Sequence, residues 1–382
     1  MRSSRPVYLD CAATTATDSR VAETVMRLLI EEFGNAGSRT HTYGATALRE
    51  VTLARECVAA TLAADPDEVI FTSGATESDN LAILGLAAFG TQAGKRHIVS
   101  TAIEHKAVLE PLARLKEDGF EVSLVAPDRL GHVAAGDVLA AVRPDTLLVS
   151  VMHANNETGA LQPITEIAEG LPADGPYFHV DAAQTYGRET PTLRHRRIDL
   201  VSISGHKVFG PKGVGALLAR RRNGHRAPLR ALMVGGGQER GLRPGTQPVP
   251  LIAGLGHAAE LAEAEREARA TACARIRAEA LAALAPLNPI VHGDPARGVL
   301  PNILSIAVPG IDSEAVMVAL KELVAISNGS ACTSARYEPS HVLSAMGLDE
   351  AEAAGTVRLS WSHLTPPVPW AEIVATLDDL RL

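Results

Sequence analysis

The sequence predicts an α/β fold in which a mainly parallel sheet is wrapped by helices and followed by a smaller α+β C-terminal domain. Short apolar runs alternate with helix-like segments through the middle of the chain, as they do in βα units. The chain has 382 residues, 46% of them hydrophobic, enough for one large core and a smaller one. We expect residues 16–257 to form the large domain and residues 1–15 with 258–382 the small one. The stretch 258–285, rich in Ala, Glu and Arg, is expected to be one long connecting helix.

The elements of the large domain follow from short apolar runs and the segments between them. Runs of four to six such residues, bounded by turn residues, are typical of buried strands. The predicted strands are 68–72, 97–100, 121–125, 146–151, 177–181, 201–204 and 215–219, with helical segments at 80–84 and 108–116 among them.

Composition excludes several classes of protein. No apolar run is long enough to span a membrane, and the basic N-terminus lacks the apolar segment of a secretory signal, so a cytoplasmic protein is expected. The net charge of −8 argues against direct binding to nucleic acid. We expect the one basic cluster, Arg220, Arg221 and Arg222 with Arg226 and Arg230, to be a solvated loop after a strand. The four cysteines are far apart, so neither a zinc site nor a disulfide framework is predicted.

Two neighbouring strand-like runs lead to reactive side chains. Asp181 ends the first run, and Lys207 follows the second. Since the carboxyl ends of parallel strands meet at one crevice, both side chains are expected there. An acid that keeps a ring nitrogen protonated and a lysine that binds covalently are what pyridoxal 5'-phosphate (PLP) requires. A buried salt bridge between strands is the alternative for the pair taken alone.

Small polar residues follow the first predicted strand. In the segment 72–78, small residues let backbone N–H groups approach an anion at a helix N-terminus, and the Thr76 hydroxyl adds a hydrogen bond. Ser204 and His206, beside Lys207, can contact the same phosphate. Helix capping is the alternative role for the Ser and Thr residues.

Further polar side chains follow other strands. His105 is placed to stack on a cofactor ring and to move protons, although a lone histidine is more often structural. The amides of Asn156 and Gln184 can bond a ring hydroxyl, and a polar turn is the alternative for Asn156.

Three features lie outside these strand ends. The glycine-rich loop 235–246 is long enough to be functional, and it can bring Thr246 to a phosphate in its own or a neighbouring subunit. Cys332 lies among small polar residues, where an exposed thiolate would be a nucleophile. Arg358 lies inside a strand-like segment and requires an anionic partner, for which a substrate carboxylate is suited.

Together these motifs resemble those of the cysteine desulfurases in the PLP-dependent class V aminotransferase family. The most specific are 71–80, 104–108, 204–207 and 329–334. The last is similar to the group I pattern of the NifS/IscS-like enzymes, the housekeeping and nitrogen-fixation types. The resemblance implies fold type I of the PLP-dependent transferases, the aspartate aminotransferase-like fold.

The resemblance also implies roles for the candidate residues around PLP. Lys207 would hold the cofactor and move the substrate's α-proton, Asp181 would pair with the ring nitrogen, and His105 would stack on the ring and act as an acid–base group. The implied contacts of the ring oxygen are Gln184 and Asn156. The implied phosphate ligands are Gly74, Ala75, Thr76, Ser204 and His206, joined by Thr246 from the second subunit of a homodimer.

For the substrate, the resemblance implies L-cysteine. Its carboxylate would be held by Arg358, with Asn35 and Asn156 nearby. Cys332 would attack the substrate sulfur, so that L-alanine leaves and a persulfide remains for transfer to an acceptor protein.

The glycine-rich loop points to a subtype. Its Gln238 and Pro244 differ from the housekeeping pattern and are similar to desulfurases of bacterial DNA phosphorothioation systems. Delivery of sulfur to iron–sulfur clusters or to tRNA thiolation is the alternative pathway. Selenocysteine lyase and aminotransferase are the alternative reactions, and a binding protein without catalysis is the alternative from another class.

Overall fold

The structure, a computed structural model, describes residues 5–329 and 340–381. Within these residues the strands are β1 (Val7–Tyr8), β2 (Val69–Thr72), β3 (His97–Thr101), β4 (Glu121–Val125), β5 (Thr146–Met152), β6 (Tyr177–Asp181), β7 (Leu200–Ser204), β8 (Gly215–Ala219), β9 (Ile290–His292), β10 (Ile303–Ala307), β11 (Val324–Ala325) and β12 (Thr356–Ser360). The α-helices there are α1 (Ser19–Ile30), α2 (Thr42–Thr61), α3 (Ala75–Gln92), α4 (Lys106–Glu117), α5 (Ala135–Ala140), α6 (Ile164–Gly170), α7 (Val249–Ala264), α8 (Arg266–Leu284), α9 (Ser313–Leu320), α10 (His341–Ala345), α11 (Glu350–Ala354) and α12 (Trp370–Asp379).

The central sheet is mainly parallel, which confirms the predicted fold class. In the described part of the chain it has seven strands in the order β2-β8-β7-β6-β5-β3-β4. Strands β4, β3, β5, β6 and β7 run parallel, whereas β8 is antiparallel to both β2 and β7. The carboxyl ends of the parallel strands therefore meet at one edge, where this type of sheet places its ligands.

The apolar composition of the strands matches their position between helices. Every residue of β2, β3, β5, β7 and β8 is buried, as expected for a sheet covered on both faces. The register of the neighbouring strands sets Met152 beside Asp181, and Asp181 beside Ser202. The side chain of Asp181 consequently emerges at the centre of the sheet edge.

Two smaller sheets, one of three strands and one of two, contain the strands of the C-terminal part of the described chain. Strand β10 pairs antiparallel with β12 and β9, and β1 pairs parallel with β11. Leu9 and Trp361, both 0% exposed, share an apolar core with residues of α8 and α12. The start of the chain thus packs against its C-terminal part.

The connecting segment differs from the single helix that was predicted. Helix α7 ends at Ala264 and α8 begins at Arg266, with a break at Glu265, where φ is −105° and ψ is 6°. The Glu265 carboxylate accepts hydrogen bonds from Arg20 at 2.6 Å and from Arg269 at 2.7 Å. These contacts hold the bend, and the local sequence, which lacks Gly and Pro there, does not indicate it.

The basic cluster is the expected solvated loop only in part: Arg221, Arg226 and Arg230 are exposed, whereas Arg220 and Arg222 bind other segments of the chain. Arg220 is buried and donates to the carbonyl oxygens of Leu62 and Leu193 at 2.8 and 3.0 Å. Arg222 bonds the carboxylate of Asp199. Both guanidinium groups therefore connect the edge of the sheet to neighbouring segments.

The glycine-rich loop is anchored by a buried acid. Glu239 accepts a hydrogen bond from Arg55 at 2.7 Å and another from the Phe71 backbone N–H at 2.9 Å. This fixes the loop against β2, while Thr246 stays exposed.

None of the helices in the described residues combines the length and the apolar composition required of a membrane span.

Candidate active site

A cavity of about 420 Å³ opens at the carboxyl ends of the parallel strands. Most of the predicted cofactor ligands lie on its wall. They are Gly74, Ala75, Thr76, His105, Asn156, Asp181, Gln184, Ser204, His206 and Lys207. Residues that are far apart in sequence are thus brought together by the parallel order of the strands.

One end of the cavity is suited to an anion. Helix α3 begins at Ala75, so the N–H groups of its first turn face this end. The hydroxyl groups of Thr72 and Ser78, 2.8 Å apart, hold the turn in place. Ser204 and His206 lie on the same wall. Burial, followed by the charge of Lys207, lowers the pKa of His206 to about 4, so its ring is neutral and can donate a hydrogen bond without a charge.

Asp181 is a buried residue of the cavity wall. Its Oδ1 accepts the backbone N–H of Ala183 at 2.8 Å. Burial, followed by the nearby Asp79 carboxyl, raises the pKa of Asp181 to about 6. A buried carboxyl in this position binds a cationic N–H group strongly, because the pair then has no net charge.

Lys207 is the last residue of a short helical turn, Gly205–Lys207, that follows β7. Its carbonyl oxygen accepts a hydrogen bond from Arg188 at 2.8 Å. This contact fixes the backbone of the turn, and the Lys207 side chain lies on the wall of the cavity.

His105 caps helix α4 at the rim of β3. Its Nδ1 accepts the Ala107 N–H at 3.1 Å, and burial lowers the pKa of the ring. The imidazole is therefore neutral at pH 7, and the proton is on Nε2, because Nδ1 is an acceptor. Such a ring can stack on a flat ligand and exchange a proton with it.

The two predicted amide ligands have different surroundings. Gln184 donates from Nε2 to the Ala12 carbonyl at 2.9 Å, while its buried Oε1 has no hydrogen-bond partner in the described residues. Asn156 lies on the cavity wall, and its own carbonyl accepts a hydrogen bond from Arg358 at 2.9 Å.

Among the described residues, three predicted ones are not part of the cavity wall. Arg358 is buried and pairs with Asp10 at 2.6 Å, and its Nε has no partner there. Asn35 is exposed and accepts the Gly37 N–H at 2.8 Å, and Thr246 is exposed as well. Cys332 lies outside the described residues.

Asp79 is a wall residue to which the sequence analysis assigned no role. It is 0% exposed, and its Oδ1 lies 3.5 Å from Nε2 of His179. Burial raises its pKa to about 7. The sequence indicates Asp79 only weakly, as an acid within a helix whose buried side chains are mostly apolar. Acids are rarely fully buried without a function or a partner.

Glu104 is a buried acid that directly precedes His105 in the chain. Its Oε1 accepts hydrogen bonds from the Thr101 hydroxyl at 2.7 Å and from the Met152 N–H at 2.9 Å. Burial raises the pKa of Glu104 to about 8. The side chain is therefore protonated at neutral pH, and it joins β3 to β5 beneath the cavity.

Replacing Glu104 by Gln is expected to make stability less dependent on pH. A carboxyl whose pKa is raised by folding stabilises the fold fully below its unfolded pKa, and this contribution is lost as the pH rises towards the folded value. Between about pH 4.5 and pH 8, the unmodified chain should lose up to ~1.4 kcal/mol per pH unit relative to Glu104→Gln. Urea unfolding at pH 5.5 and 7.5 measures this, with the exposed Glu110→Gln as the control. If the free energy of unfolding changes equally with pH in Glu104→Gln and in the unmodified chain, the pKa of Glu104 is not raised by folding.

Comparison with known proteins places this geometry in a family. Residues 7–366 match the family described as Aminotransferase class-V. The chain is 44% identical over 379 residues to cysteine desulfurase IscS of Salmonella paratyphi B, an alignment that covers 98% of this chain and 92% of the relative.

Solved structures agree with this match. The chain is similar to DndA from Streptomyces lividans, with 52% identity and a TM-score of 0.82 over 93% of this chain and 99% of that one. It is also similar to SspA in complex with cysteine, with 37% identity and a TM-score of 0.78 over 95% and 99% of the two chains. The resemblance expected from the motifs is confirmed: the chain belongs to the aminotransferase class-V family and, within it, to the cysteine desulfurases.

Proposed function

We propose that this desulfurase uses PLP, bound in the 420 Å³ cavity, to remove sulfur from L-cysteine, giving L-alanine and a persulfide on Cys332. The observation that carries the proposal is the convergence of Asp181, Lys207 and His105 on one cavity whose other end is a helix N-terminus. An acid, an amine and a neutral aromatic ring beside an anion site match the four parts of PLP.

The residues present fit this cofactor. The anion end offers the first turn of α3 and the side chains of Ser204 and His206. At the other end, the buried Oε1 of Gln184 lacks a partner in the described residues, and a ring hydroxyl would satisfy it. The cavity volume, about 420 Å³, lies within the range of small-molecule sites.

Each ligand then has a role in holding the cofactor. Lys207 would bind it covalently through Nζ, Asp181 would accept the proton on the ring nitrogen, and His105 would cover one face of the ring. The phosphate would be held by Gly74, Ala75, Thr76, Ser204 and His206, with Thr246 from a second subunit. PLP, when bound, supplies an electron sink that makes bonds at the substrate's carbon atoms easier to break.

The chain's own groups would carry out the remaining steps. Lys207 moves the substrate's α-proton, and neutral His105 can take or give a proton at Nε2. The thiolate sulfur of Cys332 forms a bond to the substrate sulfur while the substrate's carbon–sulfur bond breaks, which leaves a persulfide on the enzyme. The electron pair of the broken bond stays with the three-carbon fragment, which takes up a proton to become alanine. For the substrate carboxylate, Arg358 offers its buried Nε, which has no hydrogen-bond partner in the described residues, although the guanidinium group already bonds Asp10.

We infer that the enzyme is a homodimer. Helices α1 and α2 and the turn between them expose a group of large apolar side chains, each between 48% and 66% exposed: Met26, Leu29, Ile30, Phe33, Tyr43, Leu48 and Leu53. An exposed apolar patch of this kind is typical of an interface between subunits. A second copy on this face would also allow the exposed Thr246 of one subunit to reach the cavity of the other.

The proposed acceptor belongs to a DNA phosphorothioation system. The glycine-rich loop with Gln238 and Pro244 and the 52% identity to DndA support this pathway. The similarity to IscS makes an iron–sulfur or tRNA thiolation acceptor the second candidate.

The proposal is tested by a single-turnover reaction. Purified enzyme loaded with PLP is mixed with L-cysteine without added thiol, and alanine and peptide masses are measured. We expect one alanine per active site and one added sulfur atom on the peptide that contains Cys332. Alanine formation from selenocysteine but not from cysteine would overturn it in favour of a selenocysteine lyase. The same reaction with sulfur-labelled L-cysteine is then followed by addition of acceptor proteins from the two candidate pathways. The acceptor that takes up the label identifies the pathway.

A further inference from the structure

A second, smaller cavity lies behind the Lys207 turn. It measures about 40 Å³ and is lined by helix α8 and by four other segments: 187–189 after β6, 208–209 after the Lys207 turn, 301–302 before β10 and 361–363 after β12. Val208 and Phe209, which directly follow Lys207, form part of its wall. A volume of this size accommodates roughly three water molecules or one small ion.

Two guanidinium groups on this wall lack a carboxylate partner. Arg188 donates to the carbonyl oxygens of Gln184 and Lys207 at 2.9 and 2.8 Å, and no carboxylate pairs with it in the described residues. Arg266 forms no ion pair there either, and its buried Nε has no hydrogen-bond partner. A third arginine on the wall, Arg269, is already neutralised by Glu265 at 2.7 Å.

The other titratable groups at the cavity compensate for at most one of these charges. Glu189 is the acid among the described wall residues, and burial raises its pKa while the charge of Arg266 lowers it. The buried thiols nearby, Cys11 and Cys273, have pKa values raised by burial to about 11, so they are neutral. At least one positive charge on this wall therefore has no carboxylate partner in the described residues, and a partly buried charge without a counter-charge is unfavourable.

Asn302 is an independent observation at the same cavity. Its side chain lies on the wall and is 1% exposed, yet neither its amide nitrogen nor its oxygen has a hydrogen-bond partner in the described residues. Buried side-chain amides are nearly always bonded, so an orphaned one indicates a polar occupant.

We propose that this cavity binds one small monovalent inorganic anion, of the size of chloride, between Arg188, Arg266 and Asn302. The unsatisfied atoms are mostly N–H donors, which an anion accepts and a cation cannot. Occupancy neutralises the wall and stabilises Arg188 in the position from which it holds the Lys207 carbonyl. The ion is thus a structural part of the support beneath the catalytic turn.

The test uses the purified, PLP-loaded enzyme at constant ionic strength, in which sodium bromide progressively replaces sodium gluconate. We expect the melting temperature to rise by about 2 °C or more and to saturate, as binding to one folded-state site requires. Arg266→Gln and Asn302→Leu should remove this rise. Arg275→Gln is the matched control, because Arg275 lies on the same helix but is exposed and paired with Glu279 at 2.8 Å; it should keep the full response.

Crystals of the unmodified enzyme soaked in bromide give a second measurement that does not depend on any variant. An anomalous peak between the three side chains supports the site. The proposal is overturned if that peak is missing, if the melting temperature rises without saturation, or if Arg266→Gln and Asn302→Leu respond like the Arg275→Gln control.

Discussion

Replacing Lys207 by Ala is expected to abolish desulfuration, with a loss of activity of about 10⁴-fold or more. The Lys207 side chain lies on the cavity wall directly after a strand of the parallel sheet, and its substitution would remove both the proposed covalent bond to PLP and the proposed proton transfer. Its backbone contact with Arg188 uses the carbonyl oxygen, which the substitution keeps. We therefore expect the variant to fold and to bind PLP only without a covalent bond.

Borohydride reduction followed by mass measurement checks this expectation. The unmodified enzyme should retain the mass of the cofactor after denaturation, and Lys207→Ala should not. Lys212→Ala is the matched control, because Lys212 lies on the wall of the same cavity but is exposed. Lys212→Ala should retain the cofactor. A reduced cofactor still attached to Lys207→Ala would show that another lysine is the attachment site.

The central part of the site could be predicted because it follows from a general property of parallel sheets. Asp181 and Lys207 each follow a short apolar run, and the carboxyl ends of neighbouring parallel strands lie at one edge. The strand register, with Asp181 between Met152 and Ser202, brings about that proximity. His105, at the N-terminus of α4, is found by the same reasoning.

The features that sequence reasoning missed depend on contacts between distant segments. The break at Glu265 is held by Arg20, which lies 245 residues earlier in the chain. The helix propensity of the residues around Glu265 therefore does not predict the break. Arg358 pairs with Asp10 across 348 residues, so its partner could not be read from its own strand. The arginines of the cluster 220–222 were expected in solvent because charge alone indicates exposure, whereas Arg220 is buried by bonding backbone carbonyls.

The segment that carries Cys332 begins and ends beside the site. Gly329 packs so closely against Glu157 that a Cβ there would lie 3.1 Å from its Oε2, and the Ser340 hydroxyl donates to the same oxygen at 2.6 Å. Glu157 is the next residue in the chain after Asn156, and Asn156 lies on the cavity wall. The described residues on both sides of the segment that contains Cys332 therefore share one contact, the Glu157 carboxylate.

Replacing Cys332 by Ser is expected to leave PLP binding and its absorbance unchanged but to eliminate persulfide formation from L-cysteine. A serine hydroxyl does not ionise at neutral pH and cannot take the sulfur, whereas a thiolate can. The measurement is persulfide and alanine per active site, and Cys57→Ser, a partly exposed thiol on α2, is the control that should retain full activity. Undiminished alanine production by Cys332→Ser would mean that sulfur leaves without an enzyme thiol. In the expected case, Asp181 and Lys207 prepare the substrate, and the thiol of Cys332 determines that the carbon–sulfur bond is the one that breaks.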